Sequence, residues 1–267
     1  MTIMHNNELV QKIDMNIVII GSGNTAAVLG RKFVAAGHRI LQVIGRNASA
    51  ASELAYEWDT ESANYMSLIN KNADVYIIAV SDDALEEIAR EISLPGKVVA
   101  HTAGSVSKDV LQNTSSHYGV FYPLQTLRKE LTRHVDIPVF FEGSDAVATA
   151  TLQKLAQSIS FGQAVSAKTE DRVKLHVAAV IVNNFTTHLF SLAERYCRKE
   201  GINFHQLLPL IRETVERLET MSPSASLTGP AVRHDKETIQ KHLEILETHP
   251  HLQKVYRFLT ESIEQTK

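Results

Sequence analysis

A chain of 267 residues with 44% hydrophobic content is long enough for one large domain or two, each with a core of its own. The formal net charge of −3, with acids and bases interspersed, excludes a broad surface for nucleic acid or anionic membrane. The single cysteine, Cys197, excludes an intramolecular disulfide and fits a reducing compartment. No signal-type apolar segment opens the sequence and no run reaches the ~18 apolar residues of a membrane span, so a soluble, cytoplasmic protein is expected.

Residues 1–14 are polar and read as a loose tail or a short added helix. Ile17-Val18-Ile19-Ile20 comes next, a β-branched apolar run without alternation, which predicts a strand buried on both faces. Gly21-Ser22-Gly23-Asn24-Thr25-Ala26 then has the form G-x-G-x-x-A. In a dinucleotide site Gly21 allows the tight turn, Gly23 lets backbone approach a pyrophosphate, and Ala26 lets the helix pack on the strand, with the anion against the helix N-terminus near Asn24 and Thr25. Two glycines after a strand can also mark nothing more than a turn. The second strand adds weight to the dinucleotide reading.

Helical spacing runs from Thr25 to Ala36 and stops at Gly37, and Arg39 to Ile44 reads as that second strand. An acid at its end would bond the adenosine ribose hydroxyls of NAD. Here Ile44 is followed by Gly45-Arg46-Asn47-Ala48-Ser49. The guanidinium of Arg46 suits a 2′-phosphate, and Asn47 and Ser49 can add hydrogen bonds, so the cofactor expected is NADP.

A helix over 48–57 leads into a less regular region, 58–72, with room for a short third strand. Asp74 to Val80 is a clear fourth strand, and Ser81-Asp82-Asp83 starts the next helix. The strand's end sets Ala79, Val80 and Ser81 along the cofactor. Lys97 to Ala100 is a fifth strand ending in His101-Thr102-Ala103-Gly104-Ser105, and Gly119 to Tyr122 is a sixth, running into Pro123-Leu124-Gln125-Thr126. Strands at 137–141 and 163–166 with a helix between them complete about eight strands alternating with helices. This order predicts an α/β Rossmann domain over 15–166 with a mostly parallel sheet.

Beyond Ser166 glycine becomes rare and helical periodicity takes over, which predicts an all-α C-terminal domain over 167–267. The first helix, 171–199, is very apolar through Val177 to Val182 and should be buried by its neighbours. Only three further helices (204–220, 234–247, 251–265) are available to cover it, so a homodimer through this domain is expected. A substrate cleft is expected at the domain junction.

Several stretches together resemble one bacterial family: His101-Thr102-Ala103-Gly104-Ser105, Phe121-Tyr122-Pro123-Leu124-Gln125-Thr126, His176-Val177-Ala178-Ala179 with Asn183-Asn184-Phe185, and Thr228-Gly229-Pro230-Ala231-Val232-Arg233-His234-Asp235. Members of that family pair a Rossmann-like domain with a helical domain of unassigned function and are described as candidate NADP oxidoreductases. The wider resemblance is to pyrroline-carboxylate reductase, prephenate dehydrogenase, ketopantoate reductase and phosphogluconate dehydrogenase. Characterised relatives there place a lysine and an asparagine four residues apart on the first long helix of the helical domain. Lys174 matches the lysine, but Ala178 stands in the second place, which leaves His176, Asn183 or Asn184 to fill the role. Purely structural roles compete with each of these, a solvated lysine and a core imidazole among them.

The expected activity is hydride transfer between NADP and a small carbonyl, hydroxy or imine substrate. Candidate catalytic residues are His101, Lys174, His176, Asn183 and Asn184, the two imidazoles being the proton donors with suitable acidity. Cofactor contacts are expected from Gly21, Ser22, Gly23, Asn24 and Thr25, from Arg46, Asn47 and Ser49, from Ala79, Val80 and Ser81, and from Thr102. Substrate contacts are expected from Ser105, Gln125, Thr126, Thr228 and Arg233. No metal site is expected. The competing reading is a sensor that binds NADP without turnover, which the missing Lys-x-x-x-Asn pair favours; a methyltransferase is disfavoured by Gly45-Arg46.

Overall fold

The computed structural model describes residues 14–130, 136–160 and 162–265, so all but the last residue of the expected 1–14 tail lies outside the described residues. The chain forms two compact units that divide after Ala179. The first turns of the long apolar helix therefore belong with the sheet.

The first unit holds eight strands and five α-helices among the described residues. In chain order these are β1 (Asn16–Ile20), α1 (Asn24–Ala35), β2 (Arg39–Ile44), α2 (Ala48–Glu57), β3 (Glu61–Ala63), β4 (Val75–Ile78), α3 (Asp82–Glu91), β5 (Val98–His101), β6 (His117–Pro123), β7 (Val139–Gly143), α4 (Ala146–Ile159), β8 (Ala164–Ser166) and α5 (Thr169–Ala179). The spatial order is β3-β2-β1-β4-β5-β6-β7-β8. Every pairing is parallel except β6 with β7. The expected short third strand is β3.

The buried sheet results from the β1 sequence. Ile17 and Ile19 enter one apolar cluster with α1, α2 and α4, while Val18 and Ile20 enter a second with α3. All four are fully buried, each contributing roughly 1.5–3 kcal/mol. A run without alternation is what a strand covered on both faces requires. Between β1 and β4 the strand order reverses direction, and the crevice outside the carboxyl ends of a parallel sheet opens at such a point.

Helix α1 packs closely because its inner face is small. Ala26 and Ala27 are fully buried. A Cβ on Gly30 would lie 2.1 Å from the Trp58 ring, so the indole covers the helix at that glycine.

The second unit is helical, with α6 (Thr186–Lys199), α7 (Leu208–Glu216), α8 (Pro223–Ser226), α9 (Lys236–Ile245) and α10 (Pro250–Gln265). A π-helical segment, Val180–Phe185, joins α5 to α6, so 169–199 is one unbroken helix. The expectation that neighbours bury its apolar face does not hold. Val177, Ile181, Val182 and Phe185 are all more than half exposed. The expectation that no segment matches a membrane span also changes, since this one helix meets that requirement by length and composition.

Candidate functional site

The site begins where β1 ends. Gly21 has φ +126°, and a Cβ there would meet the carbonyl oxygen of Ala79 at 2.2 Å, so the ends of β1 and β4 touch through a residue without a side chain. A Cβ on Gly23, by contrast, would meet nothing within 4 Å. The first glycine closes the turn; the second leaves its outer side clear. Together they open a cleft of about 440 Å³ at the start of α1.

Gly21, Ser22, Gly23, Asn24 and Thr25 form one wall of this cleft, Gly45, Arg46 and Asn47 another, and Ala79, Val80 and Ser81 the third. Met66, Ala84 and Ile88 add an apolar floor that the sequence did not single out. Among the described residues no carboxylate lines it. Arg46 is exposed, and the Asn47 side chain accepts from the Ala50 N–H as the cap of α2. The walls thus supply free N–H groups at the start of a helix and one permanent cation at the β2 end, the two features a phosphorylated dinucleotide requires. Ser49 is not among the lining residues and lies 3.5 Å from Glu53 Oε1. Thr102 also falls outside the lining, bonded to the carbonyl of Ile78 at the β4 end.

Beside this cleft the end of β5 is tightly built. His101 is fully buried. Its Nδ1 accepts the Ala103 N–H at 3.1 Å and its Nε2 faces the Ser107 carbonyl at 3.3 Å. Burial pushes its pKa down from 6.5 to about 4, against the opposing pull of the Ser107 bond. Both nitrogens are therefore engaged with backbone, and the ring is neutral near pH 7. The expectation of His101 as a proton donor is corrected on this ground: the imidazole shapes the loop after it.

The same loop is pinned by Arg172, a residue that nothing in the sequence marked out. It lies on α5, fully buried, and donates to the carbonyls of Gly104 (3.1 Å) and Val106 (2.6 Å), to Glu142 Oε2 (2.8 Å) and to Thr169 Oγ1 (3.3 Å). A guanidinium suits this place because its planar fork reaches several acceptors at once. Removing one partner of such a buried ionic network typically costs ~3–5 kcal/mol.

One turn further along α5, His176 shares the face of Arg172. Its Nδ1 lies 2.9 Å from the hydroxyl of Tyr122, at the end of β6. Gly104 makes room: a Cβ there would lie 2.9 Å from both His176 Nδ1 and the Tyr122 ring. Ser105, the next residue, donates to Asp82 Oδ2 at 3.0 Å, and Asp82 adjoins the cleft-lining Ser81. This chain of contacts joins the imidazole to the edge of the cleft.

Residues 16–104 match the model of a family described as NADP oxidoreductase, coenzyme F420-dependent, and residues 137–263 match a domain of unknown function, DUF2520. A Bacteroides fragilis protein, described as a candidate NADP oxidoreductase, is 37% identical, with a TM-score of 0.87 over 94% of this chain and 98% of that one. The chain belongs to this NADP oxidoreductase family. The fold is shared more widely. A pyrroline-5-carboxylate reductase from Streptococcus pyogenes is 16% identical with a TM-score of 0.62, covering 94% of this chain and 99% of that one. An imine reductase from Myxococcus stipitatus, in complex with NADP+, is 15% identical with a TM-score of 0.62, covering 94% and 92%. No curated protein matches the chain.

The remaining expected site residues are not among those that line the cleft. Lys174 is exposed on α5. The Gln125 side chain accepts the Thr126 N–H, closing its own turn. Asn183 and Asn184 are exposed in the π-helical segment, and the Asn183 side-chain amide donates to Asn184 Oδ1 at 3.3 Å. Thr228 and Arg233 are exposed in the second unit. Among the described residues no cluster of His, Cys, Asp or Glu could hold a metal ion. Tyr122, Gly104 and Arg172 are what sequence reasoning missed. Tyr122 and Gly104 stood inside the recognised motifs, at strand ends, and carried that signal; Arg172, within Glu170-Asp171-Arg172-Val173-Lys174, reads as an ordinary solvated turn.

Proposed function

We propose that this protein is an NADPH-dependent reductase of a small carbonyl or imine compound, working reversibly on the corresponding hydroxy or amino compound, with His176 as proton donor. The observation that carries the reading is the imidazole at the β6 end, held by Tyr122 and linked through Gly104, Ser105 and Asp82 to a cleft whose described lining holds no carboxylate. When bound, NADPH supplies hydride to the substrate carbon. As that carbon is reduced, the electron pair of its double bond moves to oxygen or nitrogen, and a proton must arrive there. His176 in its imidazolium form gives that proton from Nε2 and is left neutral with its proton on Nδ1, facing Tyr122. Lys174, on the same helix, is the further candidate for a substrate contact, with Ser105, Gln125 and Thr126 at the strand ends as others.

Cofactor consumption should be followed by absorbance with panels of cyclic imines and 2-oxo acids, for the wild type and His176→Gln. Turnover with at least one panel member should fall ~100-fold or more in the variant while NADPH affinity is retained. Equal turnover in the two proteins removes His176 from the reaction. A second reading, a sensor that binds NADP without reaction, is favoured by Ala178 at the place where related dehydrogenases carry a catalytic asparagine. Tight NADPH binding with no consumption across both panels would select it.

A further inference from the structure

We infer that Tyr122 is a positioning residue that occupies His176 Nδ1 in every protonation state and so reserves Nε2 as the one nitrogen that exchanges a proton with substrate. The inference deepens the reading of His176 as proton donor and rests on it. Three elements build the arrangement: β6 carries the phenol, α5 carries the imidazole, and the loop after β5 passes close to both at Gly104.

The hydroxyl lies 2.9 Å from Nδ1, and the rings meet nearly edge to face, 6.0 Å apart at 69°. Tyr122 is only 8% exposed. Burial pushes its pKa above the usual phenol range, so the group keeps its proton. A buried O–H needs an acceptor, and among the described residues the one this hydroxyl meets is Nδ1. In the neutral ring the phenol therefore donates to a bare Nδ1, which puts the ring proton on Nε2. In the imidazolium both nitrogens carry protons, and the hydroxyl turns to accept from Nδ1–H. After Nε2 has given up its proton, the ring is left only in passing with its proton on Nδ1, and exchange with water returns that proton to Nε2, so that the phenol again has its acceptor. A hydroxyl serves all three states because it both donates and accepts. A carboxylate or an amide N–H could serve only some.

The neighbours fix the pair in place. Arg172, one turn earlier on α5, holds the Gly104 carbonyl at 3.1 Å, which ties the helix to the loop. A methyl group on Gly104 would lie 2.9 Å from Nδ1 and from the phenol ring, so this contact requires glycine.

The test uses the full-length protein labelled with 15N-histidine, with the His176 signals assigned by their loss in His176→Gln. No substrate is needed, so the result is independent of whether turnover is ever found. In its neutral ring the wild type should show a single form, with the proton on Nε2 and a hydrogen-bonded Nδ1. In Tyr122→Phe the Nδ1 resonance should shift toward that of free imidazole and the second tautomer should become populated. Gly104→Ala, which keeps the hydroxyl but crowds it, should produce the same displacement and guards against a folding defect particular to the first variant. A wild-type ring with its neutral proton on Nδ1, or His176 signals unchanged in both variants, overturns the inference. Shifted signals combined with unimpaired turnover in His176→Gln uphold the positioning role and reject His176 as the donor instead.

Discussion

Arg46 stands at the end of β2 without an acid beside it, exposed and lining the cleft. A 2′-phosphate placed there meets a charge-assisted, forked contact, while a ribose hydroxyl gains little from it. Contacts of this kind are worth roughly 1.5–3 kcal/mol. Arg46→Ala should therefore weaken NADPH ~10-fold or more and barely change NADH. Fluorescence titration with both cofactors checks this, and an equal loss for the two would take the assignment away from Arg46. Asn47 is a poorer candidate than the sequence alone suggests, because its side chain already caps α2. The cost of Asn47→Ala should therefore fall mainly on the helix.

Among the elements, the end of β5 and the start of α5 hold one another. His101 fills the base of the loop and Arg172 spans its carbonyls. The groups facing the His101 ring electrostatically are Arg172, which opposes its protonation, and Glu142, which favours it. Burial outweighs both, and the folded-state pKa falls from 6.5 to about 4. Unfolded chains then bind a proton in a range where the folded one does not, so stability rises with pH across that window. The contribution is complete above the unfolded value and is lost as pH falls toward the folded one, roughly 3 kcal/mol in all. His38, which burial also depresses, acts with the same sign. Chemical denaturation of the wild type and His101→Gln across this range isolates the one residue: the wild type should show the steeper loss on acidification. Parallel curves would mean that His101 is not buried as neutral imidazole.

Taking the chain entire, the exposed face of the long helix is the feature that a single copy leaves unexplained. Val177, Ile181, Phe185 and Leu189 recur every four residues and are between 37% and 59% exposed. Contiguous apolar surface of this kind marks an interface. We propose a homodimer formed through it, as the scarcity of covering helices in the sequence also suggests. Light scattering without detergent should give twice the chain mass of 29.7 kDa across the micromolar range. Ile181→Glu, which places a charge in the stripe, should yield monomers. A wild-type monomer at every concentration would exclude the dimer, and a particle obtained only in detergent would point to the membrane, whose length requirement the helix also meets.

Features with a local cause were legible in the order of residues. Continuous apolar runs marked buried strands, the spacing of Gly21 and Gly23 marked the turn into α1, and the absence of an acid after Ile44 pointed to NADP, the cofactor named for the family, because each depends on residues within a few positions of one another. Features with distant causes emerged only on folding. Whether an imidazole faces a crevice or a carbonyl depends on what packs around it: His101 is enclosed by its own loop, while His176 meets Tyr122 across 54 positions. Arg172 looked like a solvated charge, and only the packing of α5 against the loop after β5 buried it among carbonyls 66 and 68 residues away. The apolar helix carried the converse lesson, since hydrophobicity calls for burial but does not say whether the chain itself or another molecule provides it.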